Sequence, residues 1–289
     1  MPSKTLAASF GGRVALVTGA AGGIGREIVR RLDAAGLRLV LVDIDARALE
    51  ELAATLTAPV QSIVADLADI AAIRTIRATV EREVGRLDVL INNAAIATVR
   101  PPFEDCPLER IDLEYRINLI APTLLAREFF DLLRASGDGR IVSIVSLAAL
   151  VPLPESPVYS ASKFGLRGAM QSIGLRYREF GIRVGSILPS SVDTAMLRDE
   201  ALHGGSILNF LDPPQPASRI ALEVERMLLD PRIERYPKLS DALLSQVTSL
   251  FPALAAPLGK LLHGRARAGL IRYLRERNLL AQSEHPALR

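Results

Sequence analysis

Short apolar runs alternate with stretches of helical periodicity along most of the chain. Residues 14–18 (VALVT) form the first run, entered from the Gly11-Gly12 turn. The segment after it sets Ile28, Val29 and Leu32 on one face and stops near Gly36, as an amphipathic helix does. Residues 39–42, 60–64 and 89–91 read as the next three strands. A helical pattern covers about 108–133, and the turn Gly137-Asp138-Gly139 leads into a strand at 141–145. A second long helix is predicted over about 159–180, followed by a strand at 182–188. Continuous apolar strands separated by helices require a parallel sheet covered on both faces. Right-handed crossovers then make this a doubly wound α/β fold.

After Pro189 the pattern changes. Residues 195–216 read as a loop carrying Leu197, Leu202, Ile207, Leu208, Phe210 and Leu211, and they end in a Pro-rich stretch. Residues 233–236 supply a last short strand, and from Leu239 onward the pattern is helical, first apolar and then basic. There is no internal repeat and no low-complexity segment. The predicted organisation is one α/β domain over 1–238, including the 195–216 loop, and a helical extension over 239–289.

Composition excludes several classes. With 289 residues, 49% hydrophobic and 23% charged, the chain can bury a sizeable core, so neither disorder nor a disulfide scaffold is expected. Cys106 is the one cysteine, which rules out intramolecular disulfides and fits a reducing, cytoplasmic setting. His203, His263 and His285 lie far apart in sequence, and no metal site is expected. The first residues lack the charged head, long apolar core and cleavage site of a secretory signal. The net charge of +3 is uneven: residues 251–289 hold seven Lys/Arg against two Glu, a net of +5, leaving −2 for the rest. The main fold therefore shows no basic stripe of the kind nucleic-acid binding needs. Residues 242–259 are uncharged but interrupted by Pro252 and Pro257, which argues against a membrane-spanning helix. Lys260, Arg265, Arg267, Arg272, Arg275 and Arg277 follow. Such a segment suits peripheral contact with an anionic bilayer or, the favoured reading, a helical flap with a solvated basic face.

The first strand runs into Thr18-Gly19-Ala20-Ala21-Gly22-Gly23-Ile24-Gly25, and a helix opens at once. Glycines let backbone approach a pyrophosphate, and a helix N-terminus offers free N–H groups and the positive end of its dipole. Asp43, 18 residues past Gly25 at the end of the second strand, stands where a ribose-binding carboxylate belongs in a dinucleotide site. A carboxylate there accepts from both ribose hydroxyls of NAD and repels the 2′-phosphate of NADP, so NAD is the expected cofactor. The alternative for Asp43 is a cap on the helix that follows.

Taken with Asn92-Asn93-Ala94-Ala95, Asn118, Ser146 and Tyr159-x3-Lys163, this loop resembles the short-chain dehydrogenase/reductase family. The resemblance runs from about residue 13 to 194 and implies a Rossmann fold and hydride transfer between a nicotinamide dinucleotide and an alcohol or ketone. It implies a catalytic set of Ser146, Tyr159, Lys163 and Asn118. It also implies cofactor contacts from Thr18, Gly19, Gly23, Ile24, Gly25, Asp43, Asp66, Asn92, Tyr159, Lys163, Pro189, Val192 and Thr194. Within that set Lys163 holds the nicotinamide ribose, Asn118 anchors a water chain, Asp66 contacts adenine, and the 189–194 stretch cradles the carboxamide. Homo-oligomers, dimers or tetramers through the long helices, are a further implication.

The chemistry also follows from the residues. Tyr159 and Lys163 are four apart in a helix pattern and share a face. A free tyrosine titrates near ~10, too high for a base at neutral pH. A neighbouring ammonium and the positive nicotinamide ring both stabilise the phenolate. Ser146 can hold the substrate oxygen beside the phenol. Two positions depart from the family pattern: Ala95 replaces a glycine, and Ser190 follows Pro189 in place of one. Apolar residues in the 195–216 loop, with Val151, Leu153 and Val158, predict a pocket lined with hydrocarbon and a lipophilic secondary alcohol or ketone as substrate. The competing readings are an NADPH-dependent 3-oxoacyl-thioester reductase, which Asp43 disfavours, and a non-catalytic dinucleotide sensor, which would not need the catalytic set.

Overall fold

The computed structural model describes residues 5–98 and 101–288. Met1–Lys4, part of the stretch read for a secretory signal, and Arg289, counted in the basic tail, lie outside them. A short helix α1 (Leu6–Phe10) buries Leu6 and Phe10 ahead of the first strand, β1 (Val14–Thr18). The chain then alternates α2 (Gly23–Ala34), β2 (Arg38–Asp43), α3 (Ala46–Ala53), β3 (Val60–Val64), α4 (Ile70–Glu83) and β4 (Val89–Asn92). The second half follows with α5 (Leu108–Tyr115), α6 (Ala121–Glu128), α7 (Phe130–Ala135), β5 (Arg140–Ile144), α8 (Pro157–Tyr177) and β6 (Arg183–Ile187). It closes with α9 (Ala195–His203), α10 (Ala217–Leu229), β7 (Glu234–Arg235), α11 (Leu239–Leu250) and α12 (Ala255–Glu276).

All seven strands are parallel, in the order β3-β2-β1-β4-β5-β6-β7. Strand alternation divides the core between the two faces. Ala15 and Val17 pack with Ile28, Val29 and Leu32 of α2 and Ile220 and Val224 of α10. Val14 and Leu16 face Ile73 and Ile76 of α4, Leu125 of α6, and Leu166 and Met170 of α8. Burial on both faces is why β1 and β4 read as nearly continuous apolar runs. Chain direction across the sheet reverses between β1 and β4, and crevices at such switch points hold ligands in doubly wound folds.

Two expectations change. The helical pattern over 108–133 is not one helix: a wide, π-type turn at Arg116–Ile120 separates α5 from α6, and a second break at Phe129 separates α6 from α7. Apolar periodicity survives both interruptions, so the pattern alone did not reveal them. The 195–216 segment is not a plain loop, because Ala195–His203 is helical and Ile207–Phe210 forms a 3-10 turn. Thr194 starts α9 by accepting a hydrogen bond from Leu197 N at 3.4 Å. Leu197, Ala201, Ile207 and Phe210 then pack on Ala266, Leu270, Tyr273 and Leu274 of α12, which gives the segment its own small core.

Candidate active site

Residues from many parts of the chain converge on one cavity of about 920 Å³ along the carboxyl ends of the strands. The Gly-rich turn after β1 forms one end. Gly19 has φ +59°, a left-handed conformation open to glycine, and a Cβ there would lie 2.8 Å from Ala94 Cα. At Gly25 a Cβ would lie 2.0 Å from Gly19 O, so the first turn of α2 packs directly against the loop. The N-cap residue Gly22 offers no side-chain hydrogen bond, which leaves N–H groups at the α2 N-terminus for a phosphate.

Asp43 lines the same end. Its carboxylate accepts hydrogen bonds from Ala21 N at 2.8 Å and Asp45 N at 3.2 Å. It does not cap α3: Asp45 does so, accepting from Ala48 N at 2.9 Å. Asp66 also lines the cavity and closes a tight turn with Ala68 N at 2.9 Å. A cradle that a Cβ would fill, a free helix N-terminus and a carboxylate at the second strand end fit a dinucleotide.

Ser146, Tyr159 and Lys163 line the same cavity. Ser146 leaves β5 and accepts a hydrogen bond from Ala148 N at 3.1 Å, which fixes its hydroxyl at the head of a 3-10 turn. Pro157 opens α8, where a proline is tolerated because the first N–H groups have no helical partner. Tyr159 and Lys163 follow one turn apart on the face turned to the sheet. Lys163 is fully buried, donates to Ile144 O at 3.4 Å, and sits with Nζ 5.5 Å from the Tyr159 ring centroid. Burial lowers its pKa to about 8, against the opposing charge of Glu114. Burial also raises the Tyr159 phenol, the Glu200 and Glu114 charges push the same way, and a hydrogen bond from Ser146 opposes them. The protein's own groups thus keep the phenol protonated, so the expected lowering by the neighbouring ammonium is outweighed.

Of the residues singled out from sequence, Gly19, Gly23, Ile24, Asp43, Asp66, Ser146, Tyr159, Lys163, Pro189, Val192 and Thr194 line the cavity. Thr18, Gly25, Asn92 and Asn118 stand behind it. Thr18 accepts from Asn93 N at 3.0 Å and Ala94 N at 3.1 Å. Asn92 points into the sheet and donates to Ser143 at 3.3 Å. The amide that reaches the cavity belongs to its neighbour Asn93, which holds the glycine turn by donating to Thr18 O at 3.0 Å and Gly19 O at 2.9 Å. Strand alternation turns successive side chains to opposite sides, so a one-residue difference changes the role.

Asn118 occupies the wide turn between α5 and α6 and is fully buried. Its amide accepts from Ile96 N at 2.9 Å and donates to Ile96 O at 2.8 Å and Ser162 at 3.2 Å. It clamps the segment after β4 to the residue next to Lys163. One helical turn earlier, Glu114 is fully buried, accepts from Thr98 N at 3.1 Å and leaves Oε1 without a hydrogen bond. Burial raises its pKa while the Thr98 hydrogen bond and the Lys163 charge oppose the rise. Its spacing of four from Asn118 was the available sequence signal for a shared face.

The cavity wall at 189–194 is held from behind. Gln215 donates to Ser190 at 2.8 Å and its backbone exchanges hydrogen bonds with Ser191 and Asp193 at 2.9 Å each. Asp193 in turn accepts from Tyr273 of α12 at 2.9 Å and from Arg277, the C-cap of that helix, at 2.5 Å. The pocket beyond Tyr159 has apolar walls from Val151, Leu153, Met196, Leu197, Leu208 and Leu211, with Leu258 and Leu262 contributed by the tail. Val158, Leu202, Ile207 and Phe210 are instead packed elsewhere. The pocket is not lined by hydrocarbon alone: Glu200 and Asn209 enter it. Among the described residues no group of three His, Cys, Asp or Glu could hold a metal, and no helix is long and apolar enough to cross a membrane.

Comparison with known proteins agrees with this arrangement. The family model described as short chain dehydrogenase matches residues 13–203. The D-threitol dehydrogenase of Mycolicibacterium smegmatis is 36% identical over 188 residues, 64% of this chain and 72% of that protein. The levodione reductase of Leifsonia aquatica is 32% identical over 213 residues, 72% of this chain and 77% of that protein. A levodione reductase crystal structure superposes with a TM-score of 0.68 at 28% identity, covering 76% of this chain and 92% of that one. A metagenomic short-chain oxidoreductase in complex with NADP gives 0.66 at 31% identity, covering 80% and 99%. The chain belongs to the short-chain dehydrogenase/reductase family, whose members are oxidoreductases that bind a nicotinamide dinucleotide.

Proposed function

We propose that this chain is an NAD(H)-dependent oxidoreductase that interconverts a secondary alcohol and its ketone, with Tyr159 as general acid and base. The observation that carries the reading is that Ser146, Tyr159 and Lys163 share one cavity with the glycine turn and Asp43. Bound NAD(H) supplies or accepts the hydride. In reduction, the phenol of Tyr159, held protonated by its surroundings, gives its proton to the carbonyl oxygen while Ser146 positions that oxygen. In oxidation, Tyr159 takes the alcohol proton, and the buried Lys163 ammonium stabilises the phenolate. Asn118 acts as a positioning residue through Ile96 and Ser162. Asp43 supports NAD over NADP, because Ala21 N and Asp45 N fix its carboxylate at the adenosine end. The D-threitol dehydrogenase and levodione reductase relatives support an alcohol or ketone substrate. The apolar walls support a substrate with a largely hydrocarbon frame.

The tail serves as a wall and flap of the substrate pocket, in preference to a membrane contact. Leu270, Tyr273 and Leu274 are spent on the 195–211 segment, and Leu258 and Leu262 line the cavity. Self-association through the long helices is supported by Phe164 and Leu175, which α8 exposes. The function is tested with a turnover panel: NAD+ and NADP+ against secondary alcohols, NADH and NADPH against the matching ketones. Turnover with NAD(H) supports the reading. Silence with measurable NADH binding favours a sensor.

A further inference from the structure

The cavity wall formed by α9 and the turn after it carries the acid Glu200 among apolar side chains, while the nearby cavity acid Asp212 is paired with Lys238 and Arg265. In α9, Met196, Leu197 and Glu200 line the cavity, and the spacings of three and four place them on one side of the helix. The main chain is tied down around Glu200, whose carbonyl accepts from Gly204 N at 3.0 Å. Gly205, with φ +143°, then passes so close that a Cβ would lie 3.1 Å from Glu200 Cβ and 3.3 Å from its Oε2. Asn209, on the 3-10 turn that α12 supports, donates to Glu200 Oε2 at 2.7 Å. That is the one hydrogen bond to this carboxylate among the described residues. Oε1 keeps its acceptor capacity, and Asn209 also borders the cavity.

Burial raises the Glu200 pKa to about 7, with Asp199 and Glu114 adding to the rise and the Asn209 hydrogen bond opposing it. An acid set among Leu153, Leu197 and Leu208 is costly unless a donor meets it. Its charge acts on Tyr159, so the two groups face the same space. A ligand whose reacting carbon sits at Tyr159 and Ser146 therefore extends toward Glu200.

We propose that Glu200 and Asn209 form a recognition subsite for a second hydroxyl on the substrate. The substrate class is then diols and hydroxy-ketones on a hydrocarbon frame, an inference that rests on the oxidoreductase reading above. A hydroxyl is favoured over an ammonium because the Lys163 cation and the positive nicotinamide ring repel a further cation. The simplest competing role is a loop clamp, in which Glu200 does no more than hold Asn209.

The test uses matched compounds: cyclohexanol, the cyclohexanediol isomers and their monomethyl ethers, in which the donor is lost and the shape is nearly kept. Turnover with NAD+ and binding to the NADH complex by thermal shift are read in wild type, Glu200→Leu, Glu200→Gln and Asn209→Ala. Wild type is expected to prefer at least one diol over its methyl ether by about tenfold or more, because a site built to bond a donor rejects the analogue without one. In Glu200→Leu that ratio is expected to fall to about one, with Glu200→Gln intermediate. A wild-type ratio near one, or a uniform loss on all compounds in Glu200→Leu, overturns the subsite and leaves the clamp. Selective diol binding without turnover of any compound would retain the subsite and refute the oxidoreductase reading instead.

Discussion

Replacing Gly269 with alanine places a methyl group against the backbone of the 195–211 segment. A Cβ at this position would lie 1.8 Å from Phe210 O and 3.0 Å from Phe210 C, whereas ordinary contacts begin at 3.4 Å. Helix α12 and the 207–210 turn must separate by about 1.6 Å to admit it, which peels Leu270, Tyr273 and Leu274 from Leu197, Ala201 and Ile207. Overpacking of this kind costs about 1–3 kcal/mol, equivalent to about 5- to 150-fold if it appears as weakened substrate binding. The atoms that the added methyl meets all belong to Phe210, none to the glycine turn or Asp43 proposed to hold the adenosine. The expected result is a raised KM for the alcohol, a lowered Tm, and an NADH Kd within about threefold of wild type. Gly264→Ala is the internal control, because a Cβ there meets nothing within 4 Å in the same helix. It is expected to stabilise the protein by about 0.5–1 kcal/mol through helix propensity. Steady-state kinetics, NADH fluorescence titration and thermal unfolding of the two variants give the answer. Wild-type KM and Tm in Gly269→Ala would refute the account of the tail as a tightly packed wall.

Three further outcomes are expected. Asp43→Ala should weaken NADH by about tenfold while leaving NADPH unchanged or improved, measured by fluorescence titration, since a lost charge-assisted hydrogen bond is worth about 1.5–3 kcal/mol; equal losses for both cofactors would count against ribose recognition. Lys163 is charged below its pKa of about 8 and neutral above it, so the rise of kcat/KM for alcohol oxidation with pH, driven by the growing Tyr159 phenolate fraction, should give way to a flat basic limb above that region. In Glu114→Gln, with Tyr159 and Glu200 still facing the site, loss of the charge that favours the ammonium should move this basic limb to lower pH, and an unmoved limb would show that Glu114 does not act on Lys163. Phe164→Glu with Leu175→Glu should dissociate the assembly to monomers in sedimentation velocity, and an unchanged sedimentation coefficient would place the interface elsewhere.

The sheet was legible because its central strands are buried on both faces, which forces nearly continuous apolar runs such as VALVT. The residues proposed for catalysis and cofactor binding were legible for a different reason: Tyr159 and Lys163 depend on one helical spacing, and the glycine turn on backbone clearance, both local properties of sequence. What escaped depends on contacts between distant segments. Asn93 and Asn92 are adjacent and chemically identical, and the pleat of β4 decides which reaches the cavity. Glu200 reads as a surface acid until α12 covers the 195–211 segment and makes it a pocket wall. The Tyr159 environment likewise needed Glu114 and Glu200, brought in from two other helices, to show that burial and charge keep the phenol protonated. The break at Arg116–Ile120 leaves the apolar rhythm intact and is visible only in the backbone, where a wide π-type turn carries Asn118.

The most direct test of the central claim is single-turnover hydride transfer from pre-bound NADH to a ketone that the wild type reduces, compared with Tyr159→Phe. The account predicts a rate loss of about 100-fold or more, with NADH affinity kept, because the phenol is the proton donor and contributes little to holding the dinucleotide. Transfer at the wild-type rate in Tyr159→Phe would contradict it and place the proton donor elsewhere in the pocket.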